Sequence, residues 1–508
     1  MPAETENQKR VREKLDEFIA TFKGGAALAA YLTQNQVKIV EALKRENRKW
    51  RLIGVLPDHV RSVFDIQGDV LIMAASYDQL QPRILSEMQG DISEDTRFDK
   101  DLCFLATTDR NATKLTDQRR GELAVLTVNP NMLQSASAPN LKELIAGLLG
   151  IVDHYNVTTP ITAAPAFFGR TRMIRDITKE LELGTHVGVF GLRKAGKSSL
   201  LAQVRTALAQ QGWGWAWLDL GQYVGSAHRL VLDLVVEIAK QLGYATRLNK
   251  SSSRENIESH WRSELSEMCQ VASLDKRLLV VLDEFDLATP GAAFATERDA
   301  FELIATLSKL RGALQQLQAN GHATPMILAA GINPNLVELA HLYGRPNPLF
   351  QFLRIHYIEP LDREELAKMV RTLGKKTGLK FTDARTIDEL QAEYGGHPLL
   401  SRQACSFVHN HRNNQQVPYD VTMAELVQAF GARGSNTPLH HAGQAAAEFI
   451  HIFPEEGRHV RDAVTNKRGV VDLGVAMHAR AYGLVNDAGQ ISLRALLRDA
   501  VLAEAKGS

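Results

Sequence analysis

Gly191, Gly196, Lys197 and Ser198 stand in the spacing G-x-x-x-x-G-K-S, inside the segment HVGVFGLRKAGKSSLLAQVRTAL. Phosphate chemistry asks for this arrangement. Glycines leave main-chain N–H groups free to curl round phosphate oxygens, so Gly191, Leu192, Arg193, Lys194, Ala195 and Gly196 form a candidate cradle that runs on to Ser199. A helix starting at Lys197 would aim its positive end at the same oxygens. Lys197 would neutralise charge on the β- and γ-phosphates, and Ser198 would ligate Mg²⁺. With glycine near ~7% of residues, a random chain of this length shows the pattern about once in fifty, so chance is a poor explanation.

The second half of such a site is an acidic residue ending a buried strand. The run RLLVVLDEFD supplies Asp283 to hold Mg²⁺ and Glu284 to polarise the attacking water, with Asp286 close behind. The alternative is a solvated helix start, where acids favour the dipole. A position about 85 residues beyond the phosphate loop, with a strand between, favours the site. The expectation is an ATP-binding and ATP-hydrolysing chain, with Lys197 and Glu284 catalytic and Ser198 and Asp283 holding the metal.

These residues need a sheet to carry them. Val187–Phe190, Trp215–Leu218, Leu278–Leu282 and Met326–Ala330 are continuous apolar runs, which fit buried parallel strands covered on both faces. The expected fold is α/β: a P-loop sheet over 166–360, a helical lid over 361–435, a C-terminal domain over 436–508, and a separate N-terminal α/β module over 1–155. Residues 156–165 (NVTTPITAAP) read as a linker. In the N-terminal module, helices are expected near Leu15–Ile19 and across Leu28–Leu43, then strands at Leu52–Leu56, Val70–Ala74, Cys103–Thr107 and Leu123–Val128, and a helix over Leu141–Val152.

At 508 residues the chain is too long for one core. A hydrophobic share of 44% and a charged share of 23% are globular values, and a net charge of +1 removes any bulk electrostatic argument for nucleic acid or membrane. Cys103, Cys269 and Cys405 are too scattered for a metal cluster or disulfide framework. No apolar run approaches the ~20 residues of a membrane span, and the polar start MPAETENQKR lacks a signal-peptide core, so a cytoplasmic location is expected.

With these motifs in place, the chain resembles the STAND-type and archaeal-type ATPases, relatives of the AAA+ class. Phe167-Phe168-Gly169-Arg170 matches their F-x-G-R opening, which implies that Phe168, Gly169 and Arg170 lie on the adenine side; Arg172 stands where the group often has Glu. Leu310–Gln318 and Ile327–Leu336 resemble the group's helix and sensor strand. Asn333 is then a γ-phosphate sensor, or a strand-end turn, since Asn-Pro-Asn is strong turn chemistry. Tyr357–Val370 resembles the start of the lid. Tyr394–Leu400 (YGGHPLL) resembles its GG-x-P motif, which implies nucleotide contact by His397 and Pro398, while Gly395 and Gly396 could equally cap a helix. The resemblance implies a regulatory switch in which nucleotide state drives domain rearrangement or self-association, in a setting such as stress or phage defence. Arg345 and Arg354 are candidate arginine fingers, weighed against ordinary surface or structural arginines.

The C-terminal order of helix Gln444–Phe453, helices near Arg458–Val464 and Val471–Arg480, hairpin Leu484–Leu493 and helix Arg494–Lys506 resembles a winged helix. Its third helix offers only His478 and Arg480 to a DNA groove, with Lys467, Arg468, Arg458 and Arg461 for phosphates, so a protein-contacting role is favoured over DNA binding. The strand GDVLIMAAS invites comparison with restriction-endonuclease-like folds. Asp69 is present, but Ala74-Ala75-Ser76 occupies the Glu-x-Lys region, which argues for a sensor, adaptor or degenerate effector with a protein partner. Lys44–Lys49 reads as a solvated helix end, and His409, His411, His440 and His441 as surface histidines. Two rival readings remain: a DNA-loading ATPase, and a scaffold that senses nucleotide without turnover.

Overall fold

The computed structural model describes every residue except 1–5, 47, 118–123, 134–137, 158, 162–165, 273–275, 290–295, 413–415, 435–436, 466–468 and 498–508. Contacts divide the chain into two compact units. One comprises Met1–Val157, Ala367–Ile387 and Cys405–Ala429; the other comprises Thr158–Leu366, Asp388–Ala404 and Phe430–Ser508.

The first unit opens with helices α1 (Glu6–Thr21) and α2 (Gly25–Gln34), then builds a five-stranded sheet in sequence order: β1 (Lys38–Glu46), β2 (Lys49–Val55), β3 (Asp69–Ala75), β4 (Phe98–Thr107) and β5 (Ala124–Val128). The first two pairings are antiparallel and the last two parallel. Helices α3 (Asp58–Phe64), α4 (Arg83–Glu94), α5 (Ala112–Asp117) and α6 (Leu141–Leu149) complete the layers. Side chains of β3 and the end of β4 alternate across the sheet. Val70, Ile72, Ala74, Leu102, Phe104 and Ala106 enter one core with α1, α2, α3 and α6. Leu71, Met73, Ala75, Cys103 and Leu105 enter the other with α4.

The helix expected across Leu28–Leu43 is corrected by the structure: α2 ends at Gln34, and Val40 and Leu43 belong to strand β1. Two register irregularities, between Ile39 and Glu41 and between Lys44 and Glu46, break the period-two pattern that would have marked a strand. The basic stretch Lys44–Lys49 is therefore the turn region of the β1–β2 hairpin and not a helix end; Asn47 lies outside the described residues.

The second unit carries the expected parallel sheet. Its elements run α7 (Thr171–Glu182), β6 (Val187–Phe190), α8 (Lys197–Gln210), β7 (Gly214–Asp219), α9 (Ala227–Leu242), α10 (Arg254–Val271), β8 (Leu278–Asp283), α11 (Glu297–Ala319), β9 (Met326–Gly331), α12 (Asn335–Glu338), the ribbon β10 (His341–Leu342) and β11 (Arg345–Pro346), and β12 (Arg354–Tyr357). The strand order is β12-β6-β9-β8-β7, parallel throughout. All four expected strands are present, and β12 adds an edge strand that the polar sequence Arg-Ile-His-Tyr did not announce.

Residues 361–435 form α13 (Arg363–Thr377), α14 (Ala384–Tyr394), α15 (Pro398–His411) and α16 (Met423–Gly431), with the two-residue strands β13 (Leu379–Lys380) and β14 (Tyr419–Asp420). Helices α13, α14 and α15 each run from one compact unit into the other. The C-terminal stretch forms α17 (Pro438–Ile452), α18 (Pro454–Thr465) and the short α19 (Met477–Ala481).

Three expectations change in this half. The helix expected over Val471–Arg480 begins only at Met477. The hairpin over Leu484–Leu493 is reduced to the isolated bridges Val470–Gln490 and Val485–Ile491. The final helix from Arg494 is described only as the single turn Arg494–Leu497, and Lys467 and Arg468 lie outside the described residues. His409 is buried and accepts from Arg412 Nη1 at 2.8 Å, so it is no surface histidine. No described helix is long and apolar enough to cross a membrane.

Candidate functional site: the phosphate loop and its surroundings

The loop between β6 and α8 turns on two glycines with different reasons to be glycine. A Cβ on Gly191 would sit 2.2 Å from Ile358 Cγ2, because Ile358 N donates to Phe190 O at 2.7 Å and brings the chain after β12 hard against the loop. Gly196 has φ +98°, and a Cβ there would meet Arg170 Nη1 at 2.8 Å. Lys194 also takes positive φ, at 57°. Gly196 caps α8 without any side-chain hydrogen bond, so the first-turn N–H groups keep no side-chain acceptor. Such an end suits an anion.

Lys197 Nζ donates to Gly191 O and Leu192 O, both at 2.9 Å, which folds the side chain back along the loop. Burial lowers its pKa, opposed by the carboxylates of Asp286, Glu284, Glu448 and Asp283. Strand β8 delivers three of these acids. Asp283 pairs in register with Asp219 of β7. Burial raises its pKa against the lowering effect of the Ser198 hydroxyl, the Glu284 N–H and the Lys197 charge. Glu284 takes φ 53°, donates its N–H to Asp283 Oδ1 at 3.1 Å, and has its pKa raised by burial and by the charges of Asp286 and Asp283. The Ser198 hydroxyl and the Asp283 carboxylate, beside the phosphate cradle, are hard oxygen donors of the kind that fits Mg²⁺.

Arg170 is the best-defined residue of the F-x-G-R segment. Its N–H donates to Glu365 Oε1 at 2.8 Å and its Nε to Glu359 O at 3.0 Å, while Glu365 also accepts from Asp362 N at 3.2 Å at the start of α13. Gly169 is pressed on the same carboxyl, with a hypothetical Cβ 2.6 Å from Glu365 Cδ. Burial lowers the pKa of Arg170 to about 10 against the pull of Glu365 and Glu359, and it remains a cation at neutral pH. A narrow cleft joins Arg170, Leu192 and Ala195 to Ile358, to Tyr394, His397 and Pro398 of the GG-x-P region, and to Tyr482 near the C-terminus. Burial holds His397 neutral, with a pKa near 4. Phe168 is half-buried but does not line that cleft.

Other expected residues are placed as follows. Ser199 is buried, with its hydroxyl accepting from Ile161 N at 2.9 Å rather than facing the loop. Asn333 Oδ1 accepts from Asn335 N at 2.9 Å, the side-chain geometry of a turn, while Asn333 N donates to Asp286 Oδ2 at 3.1 Å. Arg345 lies over the Phe301 ring at 5.0 Å, and Arg354 pairs with Glu180 at 3.2 Å.

Two further acids stand by the loop: Asp286, named from the sequence without a role, and Glu448, which the sequence did not single out. Asp286 is packed so closely against β9 that a Cβ on Gly331 would fall 2.2 Å from its Oδ1. Glu448 of α17 stands 3.9 Å from Arg193 Nη1 at the tip of the loop, and His441 and Gln444 of the same helix share a small cleft with Arg193 and Lys194. Asp286 was legible from its place in D-E-x-D; Glu448 carries no local signal.

A family profile described as Novel STAND NTPase 1 matches residues 161–432, more than half of the chain. Among solved structures, the Walker-type ATPase PABY2304 of Pyrococcus abyssi is 15% identical and covers 68% of this chain and 99% of its own, with a TM-score of 0.44. Cdc6p of Pyrobaculum aerophilum is 14% identical over 68% of this chain and 97% of its own, with a TM-score of 0.33. Protein FixC of Azorhizobium caulinodans is 23% identical over 341 residues, 61% of this chain and 75% of that protein. At these similarities no individual relative lends its activity to this chain. The match over 161–432, together with a parallel sheet that carries a glycine-lysine-serine loop beside an acid-ended strand, makes this chain a member of the novel STAND NTPase 1 family of P-loop NTPases.

Proposed function

We propose that the chain binds ATP at the phosphate loop, hydrolyses it, and uses the cycle as a regulatory switch. The observation that carries this is Lys197 folded back onto Gly191 O and Leu192 O at 2.9 Å, with the carboxylates of Asp283, Glu284 and Asp286 acting on its charge. Main-chain N–H groups from Gly191 to Ser198 hold the phosphates, with Lys197 as counter-charge. Mg²⁺, held by Ser198 and Asp283, would offset charge on the transferred phosphoryl group. Glu284 accepts a proton from the attacking water, and a raised carboxylate pKa suits that role. Arg170, Tyr394, His397, Pro398 and Tyr482 line a cleft of only about 10 Å³, which would have to open before it receives the base and sugar.

The regulatory part follows from where those last residues sit. The cleft draws on the ATPase sheet, the helices after 361 and the C-terminal stretch together, so nucleotide bound there would touch all three. Self-association in the ATP state, a protein partner on the N-terminal module, and a role in stress or phage defence complete the reading. DNA loading is disfavoured, because His478 and Arg480 are engaged with Glu338, Glu456 and Asp487.

Labelled-ATP binding and phosphate release test this together. Lys197→Ala is expected to lose binding by at least a hundredfold, on the order of 3 kcal/mol. Glu284→Gln is expected to keep binding and lose turnover. Undiminished affinity in Lys197→Ala would remove the site. A wild type as inert as Glu284→Gln would leave a nucleotide-sensing scaffold.

A further inference from the structure

A cavity of about 250 Å³ lies wholly within the unit that contains the N-terminal module and shares no lining residue with the phosphate loop. Its apolar lining comes from Val63 and Phe64 at the end of α3 and from Leu379, Phe381 and Pro418. Phe64, Leu379 and Phe381 are buried. Three cations stand around it, Arg371 and Lys375 of α13 and Lys380 of β13, against the single carboxylate of Asp65.

The cations differ in how far they are already satisfied. Lys375 is neutralised by Asp99 at 2.8 Å and Asp101 at 3.6 Å. Lys380 Nζ donates only to a main-chain carbonyl, Ser62 O, at 3.1 Å. Arg371 makes no hydrogen bond or ion pair to the described residues. Asp65 is partly occupied, accepting from Gln67 Nε2 at 2.6 Å. Carbonyls near the C-terminal end of α13 could oppose an anion, but several are taken: Val370 O by Tyr155 Oη at 2.6 Å, Leu373 O by Thr377 Oγ1 at 2.8 Å, and Gly378 O by Tyr419 N at 2.8 Å. The balance is a hydrophobic pocket with uncompensated positive charge at its rim.

We propose that this cavity is a binding site for a small amphipathic anion. An aromatic or short aliphatic body would lie against Phe64 and Phe381, with one carboxylate or sulfonate on Arg371 and Lys380. At about 250 Å³ the pocket falls just below the usual ~300–1,000 Å³ of small-molecule sites, which favours a compact ligand. Apolar contact supplies most of the affinity and the guanidinium sets the sign of the charge selected. The site does not depend on ATP turnover.

Calorimetric titration of the full-length chain with naphthalene-2-carboxylate, and with the neutral naphthalene-2-methanol, tests it. One saturable site per chain is expected for the carboxylate, roughly tenfold tighter than the alcohol, as a charge-assisted contact implies. Arg371→Glu and Lys380→Glu, both at solvent-reached positions, are each expected to weaken the carboxylate roughly tenfold and leave the alcohol unchanged. Arg83→Glu, elsewhere on the same unit, is expected to change neither. No saturable binding, equal affinity for acid and alcohol, or full carboxylate affinity in both charge-reversal variants would each overturn the proposal.

Discussion

Asp286 and Glu448 place negative charge beside a lysine that the phosphate loop needs positive. Burial works against the ammonium of Lys197, and these two carboxylates, with Glu284 and Asp283, work for it. Burial also raises the pKa of both acids. Glu448 differs from the rest because it arrives from α17 and faces the loop tip through Arg193. A polyphosphate brought to the same loop would meet that carboxylate as a like charge. Glu448→Gln keeps the shape and removes the charge. It is expected to tighten MgATP binding about threefold in calorimetry, the range of ~0.5–1 kcal/mol for a partly exposed pair. Weaker binding in the variant would mean instead that Glu448 orders the loop through Arg193. The loop itself was legible because the chemistry proposed for it is main-chain and contiguous: Gly191 to Ser198 are neighbours in the sequence. Glu448 was not, since only the packing of a helix some 250 residues later brings it to Lys197.

At the scale of elements, continuous apolar runs declared the central strands, and they did so because both faces of each sheet are covered. The edge strands β1 and β12 were harder, unlike the edge strands β5 and β7, whose apolar runs were read. Strand β1 has two irregularities and leaves Leu43 exposed, so its apolar residues fell at spacings that imitate a helix. Strand β12 is short and mixed in polarity, since only one neighbour, β6, pairs with it. The irregular start of β4 shows how such features are held. The Asp99 carboxylate accepts from Gln67 N at 3.0 Å, Asp101 N at 3.0 Å and Leu102 N at 3.1 Å, and pairs with Lys375 of α13 at 2.8 Å. Its side chain is almost fully buried, so Asp99→Ala strands three main-chain donors and a cation together. A loss of about 3–5 kcal/mol is expected, the scale for breaking a buried pair. Lys375→Met leaves the three N–H donors on Asp99 and is expected to cost less, about 1–2 kcal/mol. Denaturant midpoints of the two variants, followed by hydrogen exchange in 98–107, check the order. Equal losses would show that the ion pair alone holds the bend.

At the scale of the molecule, the C-terminal stretch is fastened to the P-loop sheet of its own unit through a few polar residues. Tyr482 Oη donates to Ile332 O, next to the Asn333 turn that Asp286 anchors. His478 is buried between Glu456, 2.6 Å from its Nδ1, and Glu338, 2.9 Å from its Nε2, and stacks on Phe453 at 4.1 Å. Burial alone would discharge the ring, but the hydrogen bonds to Glu338 and Glu456 outweigh it and push the pKa up to about 9. Glu338 responds in kind: its pKa is lowered by His478 and Tyr357 in spite of burial. Because the folded-state pKa lies above the unfolded value near ~6.5, the charged ring stabilises the fold fully below that value and loses its contribution as pH rises through about 9. The contribution is roughly 3 kcal/mol at most, at ~1.4 kcal/mol per pH unit of raised pKa. His478→Gln preserves size and some hydrogen bonding but cannot carry the charge. Thermal midpoints of wild type and variant are therefore expected to lie furthest apart near pH ~6 and to converge by pH ~10, with hydrogen exchange in 477–485 rising in the wild type over the same interval. A gap that stays constant across that range would show a neutral ring, and the C-terminal stretch would then be held by packing of Phe453 and Tyr482 alone.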